Sequence, residues 1–92
     1  MKDKAWSRTG RIRLAPGRQL QKDSADRHIL VGPKGVVQLN ESAAAILALC
    51  DGTRTRDQII ARILPRSRED SFAVDVREFL GAARRRGWII EG

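Results

Sequence analysis

Few of the 92 side chains have types suited to covalent or metal chemistry: one histidine, His28, one cysteine, Cys50, and no tyrosine. A tetrahedral zinc site takes four ligands, mostly Cys and His. His28 and Cys50 supply two, at a spacing that suits no such site. The chain contains no H-E-x-x-H, no C-x-x-C and no glycine loop of the kind that cradles phosphates. A general base needs a positioned partner; His28 opens an apolar run and has none marked for it, so it reads as structural or solvated. Cys50 falls on an apolar helical stripe and reads as inert and buried. The neighbouring carboxylates Glu69 and Asp70 lie near a helix start, where acids complement the dipole. No enzyme, metal site or cofactor is expected. A lone cysteine closes no internal disulfide and fits a reducing compartment. No apolar run nears the roughly 18 residues of a membrane span, and no secretory apolar segment follows the charged start. Cytoplasm is the expected location.

The remaining functional signal is cationic. The formal net charge is +7. Residues 1–40 hold nine Lys/Arg against three acids, an excess of six, whereas residues 41–92 hold nine Arg against eight acids, an excess of one. Such an imbalance either attracts an anionic partner through long-range forces or serves solubility.

The elements that must position these charges follow from periodicity. Residues 1–13 are mostly charged and read as a mobile arm, with Trp6 and Ile12 its large apolar residues. Pro16-Gly17 then punctuates the chain before Arg18 to Lys22, a short edge strand. His28–Val31 and Val36–Leu39 are apolar runs rich in β-branched residues, separated by Gly32-Pro33-Lys34-Gly35. They predict an antiparallel hairpin.

From Asn40, an N-cap candidate, the period turns helical. Ala43, Ile46, Leu47 and Cys50 draw one stripe, and Gly52 stands where a left-handed C-cap belongs. Thr55 with Gln58 resembles a capping box before Ile59, Ile60, Ile63 and Leu64, and Pro65 ends that helix. A third helix starts near Ser67 or Asp70, buries Phe72, Ala73, Val76, Phe79, Leu80 and Ala83, and ends at Gly87. Arg84-Arg85-Arg86 lies in its last turn, and Trp88-Ile89-Ile90 folds back as an apolar tail.

The expected fold is thus α+β, a small winged helix-turn-helix-like domain over residues 14–92. A three-stranded antiparallel sheet is followed by three helices. This inventory also suits a winged helix DNA-binding regulator, the alternative reading. However, the third helix carries Glu69, Asp70, Asp75 and Glu78, and acids there repel phosphates.

The block Val36-Val37-Gln38-Leu39-Asn40-Glu41-Ser42-Ala43-Ala44-Ala45-Ile46-Leu47, with Leu49-Cys50-Asp51-Gly52-Thr53-Arg54-Thr55, resembles the PqqD family. The likeness spans roughly residues 14–90, including Arg18–Gln21 and Arg86-Gly87-Trp88-Ile89. The chain departs from the pattern at Lys34, usually an acid, and at Gly32, often aromatic. The resemblance implies a non-enzymatic peptide chaperone of pyrroloquinoline quinone biosynthesis. Such a chaperone binds the precursor peptide PqqA and presents it to the radical S-adenosylmethionine enzyme PqqE. It further implies a groove between the third strand and the third helix, where the peptide adds as a strand.

Val36, Val37, Gln38 and Leu39 would supply the strand edge. On the third helix, Ala73, Arg77, Leu80 and Arg84 share one margin at spacings of 4, 3 and 4, an apolar floor flanked by guanidinium groups apt for an acidic peptide. The opposite margin, with Asp75, Phe79 and Arg86, is the other choice.

Overall fold

The computed structural model describes residues 6, 7, 9–63 and 70–92, and for residues 70–75 the backbone alone. Its elements run β1 (Arg11–Leu14), β2 (Gln19–Lys22), β3 (His28–Gly32), β4 (Gly35–Gln38), α1 (Glu41–Ala48), β5 (Asp51–Thr55), α2 (Arg56–Ile63), α3 (Asp70–Arg85) and β6 (Ile89–Glu91). The strands form two antiparallel three-stranded sheets, ordered β5-β1-β6 and β2-β3-β4.

The β2-β3-β4 sheet is the three-stranded sheet expected; the second sheet, β5-β1-β6, corrects the expectation of one sheet alone. Three short strands escaped the periodicity. β1 lies within the presumed arm: Arg11 and Arg13 face solvent while Ile12 is fully buried, a period of two hidden among charges. The ordered domain therefore begins before residue 14. β5 is almost wholly polar, and its partner β1 is some 40 residues away in sequence. The apolar tail becomes β6, which pairs on the other side of β1. Gly52 has φ +86 as its type suggested, but it caps no helix. It lies where the β1–β5 register slips, with Ile12 opposite Arg54 and Arg13 opposite Asp51. A glycine in the left-handed region is what such a bulge requires. Helix α1 ends instead at Leu49, a right-handed cap residue.

The signals at Asn40, Thr55 and Gly87 are present as read. Asn40 Oδ1 accepts from the Ala43 N–H at 2.7 Å, capping α1. At α2 the capping box is reciprocal: the Thr55 N–H donates to Gln58 Oε1 at 2.9 Å, and the Gln58 N–H donates to Thr55 Oγ1 at 3.3 Å. α3 ends in paired bonds, from the Gly87 N–H to the Arg84 carbonyl and from the Trp88 N–H to the Ala83 carbonyl, with Gly87 at φ +76. This arrangement satisfies the last carbonyls and turns the chain into β6. Leu64, Pro65, Ser67 and Glu69 lie outside the described residues, as do the side chains of Asp70, Phe72, Ala73 and Asp75.

One core joins both sheets to the helices. It includes Ile12, Leu30, Leu39, Ile46, Leu47, Cys50, Ile59, Ile60, Ile63, Val76, Leu80, Ala83 and Ile89. Each fully buried Ile or Leu contributes about 1.5–3 kcal/mol relative to an exposed one. The β2–β4 sheet lays Leu20 and Leu30, paired across the ladder, toward this core. β4 takes little part in it, because all four of its residues are exposed.

Candidate functional site

β4 is an outer strand, and its backbone polarity can be worked out residue by residue. Antiparallel partners alternate between pairs that exchange hydrogen bonds and pairs that do not. The Leu39 N–H donates to the His28 carbonyl at 2.9 Å, so that pair bonds inward. Stepping by two makes Leu30/Val37 and Gly32/Gly35 inward-bonding pairs too. The pairs between them, Ile29/Gln38 and Val31/Val36, do not bond across the ladder. Val36 and Gln38 therefore aim both their N–H and C=O groups away from β3, toward the open edge. Unpaired groups on an outer strand are a ready template for another strand.

The side chains of this edge are apolar where it is most open. Val36 is 59 % exposed and Val37 38 %, the exposed large hydrophobic residues among those described. Leu39, also expected at the edge, is buried and anchors the strand from below. Gln38 is exposed.

The expected helical margin separates on inspection. Arg77 is exposed, but Leu80 is fully buried in the core, so it provides no accessible floor. Arg84 is half-buried, and its guanidinium lies over the Trp6 ring at 4.3 Å. Arg56, at the start of α2, lies 5.6 Å from the same ring. Trp6 thus docks between α2 and α3 through two cation–π contacts, a role that its place in a charged segment concealed. On the opposite margin Phe79 and Trp88 pack as tilted rings 6.4 Å apart, and Arg86 lies 5.3 Å from the Trp88 ring. Ala73 falls on the part of α3 described by backbone alone.

The cations also sort themselves. Arg27 pairs with Asp23 at 2.9 Å and Lys22 with Asp26 at 3.5 Å. Backbone N–H donation, first from Arg27, holds the Asp23 carboxyl below its ordinary value. Asp51 is held low by the Thr53 hydroxyl and N–H, and it pairs with Arg54. No ion pair occupies Arg11, Arg13, Lys34 or Arg77 among the described residues. Burial pushes the Cys50 thiol up to about 12, and its Sγ–H faces the Ile46 carbonyl. A thiol so protonated is a poor nucleophile. No group of three metal-ligating side chains occurs among the described residues, nor is any helix there long and apolar enough to cross a membrane.

A second concavity, of about 460 Å³, lies between β2 and α1, floored by Leu20, Ala44, Ala45 and Ala48. Its strand is the other outer strand of the same sheet.

Comparison with known proteins converges on this architecture. The chain is similar to the PqqA binding protein of Methylococcus capsulatus, 37% identical over 81 residues that cover 87% of each chain. It is 49% identical to the PqqA binding protein of Azotobacter vinelandii over 63 residues, 67% of this chain and 68% of that one. Among solved structures, the PqqD truncation of Methylobacterium extorquens PqqCD superposes with a TM-score of 0.70 at 26% identity, covering 94% of this chain and 95% of that one. That protein is described as a functional, stand-alone recognition element for ribosomally synthesised and post-translationally modified peptides. The heterocyclase TruD shares the fold in 12% of its length, with a TM-score of 0.69 over 90% of this chain at 18% identity. The family model for coenzyme PQQ synthesis protein D matches residues 27–89, which include the whole β3–β4 hairpin and all three helices. The chain belongs to the PqqD family.

Proposed function

We propose that this protein binds the precursor peptide PqqA as an added β-strand on β4 and presents it to the radical S-adenosylmethionine enzyme PqqE. The observation that carries this reading is the open edge of β4, where Val36 and Gln38 turn their backbone groups outward beside two exposed valines. Main-chain bonds supply affinity in strand addition, and alternate side-chain pockets supply specificity. Its relatives from Methylococcus and Azotobacter are both PqqA binding proteins. The role is one of binding, with no chemistry of its own.

In this reading the β2–β4 sheet is the wing of a winged helix-turn-helix-like domain, and α3 is the far wall of the groove. Val36, Val37 and Gln38 form the edge, Arg77 and Arg84 line the wall, with Ala73 about one turn before Arg77 on α3, and Leu39 and Leu80 anchor the two sides from within. The cations Arg11, Arg13, Lys34 and Arg77, which form no ion pair among the described residues, attract an acidic peptide before contact. The setting is the cytoplasm, where precursor peptide and enzyme meet.

Isothermal titration with PqqA tests the proposal. Saturable binding that weakens as salt rises from low to physiological levels is expected. Heat that does not saturate, or saturable binding of duplex DNA that survives physiological salt, overturns it.

A further inference from the structure

The two sheets have separate hydrogen-bond ladders, and the chain passes from one to the other through Pro16-Gly17, with Gly17 at φ +84. Arg18 follows this corner directly. Its backbone N–H donates to the Ala15 carbonyl at 3.2 Å, while its side chain reaches across the molecule. The Nε–H donates to the Gly87 carbonyl at 2.8 Å, at the capped end of α3. The same guanidinium fills the space beside Gly32, where a Cβ would collide with Nη1. It also lies against Gly87, whose Cβ position would be 3.7 Å from Nη2.

Gly32 is the partner of Gly35, the first residue of the open edge. One planar group therefore lies against both the turn end of the β3–β4 hairpin and the capped end of α3.

We propose that Arg18 is a positioning residue, a latch that fixes the β4 edge relative to α3 and so sets the width of the peptide groove. The inference rests on the strand-addition reading above. A guanidinium suits the task because it donates in a fixed plane and packs flat on backbone. Its bond joins a cation to a neutral carbonyl, stronger than a neutral pair. The latch restrains the hairpin before the peptide arrives, and preorganisation of this kind improves affinity by lowering the ordering cost of binding.

The test separates geometry from affinity. Nitroxide labels at Lys34→Cys and Glu78→Cys report the distance from hairpin tip to α3 by electron–electron resonance; both positions are exposed, and buried Cys50 stays unlabelled. Arg18→Ala should broaden the distance distribution and weaken PqqA binding by about tenfold, the value of one charge-assisted bond. Gly32→Ala keeps Arg18 but displaces its guanidinium. It should broaden the distribution in the same way, and it decides the matter if Arg18→Ala fails to fold. Arg18→Lys, which retains charge without the planar fork, should not restore wild-type values.

A distribution as narrow as wild type in Gly32→Ala, with unaltered PqqA affinity, overturns the latch. Broadening in the variants of a protein whose wild type fails to bind PqqA supports the latch and removes the strand-addition reading instead.

Discussion

The alternation along β4 makes a prediction at single-residue resolution. Gln38 directs its N–H toward the open edge, whereas Val37 spends its N–H on the Leu30 carbonyl within the hairpin. Proline lacks a backbone N–H, and in sheets it is tolerated on outer strands where that group faces solvent. Gln38→Pro therefore removes a donor that the folded protein alone does not use. Stability should change by less than about 1 kcal/mol, a shift in Tm of no more than roughly 4–8 °C for a domain this size. Binding of PqqA should weaken about tenfold or more. One hydrogen bond is worth roughly 0.5–1.5 kcal/mol net, and the pyrrolidine ring obstructs the incoming strand besides. Val37→Pro reverses the pattern. It leaves the Leu30 carbonyl without its donor, at about 1–3 kcal/mol, and should lower Tm whether or not peptide is present. Thermal denaturation followed by circular dichroism, with titration calorimetry on both variants, reads the two effects separately. Wild-type affinity in Gln38→Pro would refute the assignment of the edge, and so would an unchanged Tm in Val37→Pro.

Leu80→Ala should cost about 2–5 kcal/mol of stability, measured by urea denaturation, because Leu80 is fully buried in the core rather than lining an exposed groove. Cys50, with its thiol pushed up to about 12, should resist alkylation at pH 8 in the native protein and react once urea unfolds it; rapid native labelling would contradict its burial. Asp51, held below its ordinary value of 3.8 by the Thr53 donors, contributes stability that is complete above that value and lost as pH falls through the lowered one. Asp51→Asn should accordingly be less stable than wild type at neutral pH, the difference closing in acid. A difference constant with pH would remove the charge as its cause.

How much was legible in the sequence depended on how local the information was. The β3–β4 hairpin, the Asn40 cap and the Thr55/Gln58 box are written in residues three to ten positions apart, and all appear as read. β1, β5 and β6 are three to five residues long, and their stability comes from partners some 40 and 80 positions away. No window on Arg11–Leu14 reveals that it forms the middle of a sheet. The sign of φ at Gly52 was legible but its purpose was not, since a helix cap and a bulge both call for glycine there. The α3 margin shows the same limit. A helical wheel groups Arg77, Leu80 and Arg84, yet only the fold tells which neighbour covers each. Leu80 meets the core, Arg84 meets Trp6, and Arg77 meets solvent. The outward polarity of Val36 and Gln38 follows from the two-residue loop Pro33-Lys34, once the flanking glycines are recognised as partners.

The central claim is that PqqA adds to the sheet at β4. The most direct measurement is a titration of isotope-labelled protein with PqqA, monitored by amide chemical shift and hydrogen exchange. The account predicts saturable shifts centred on Val36–Gln38 and on α3, with the Val36 and Gln38 amides becoming protected while Val37, already bonded, gains little. Saturation with no added protection at Val36 and Gln38, or with shifts confined to the β2–α1 concavity, would contradict it.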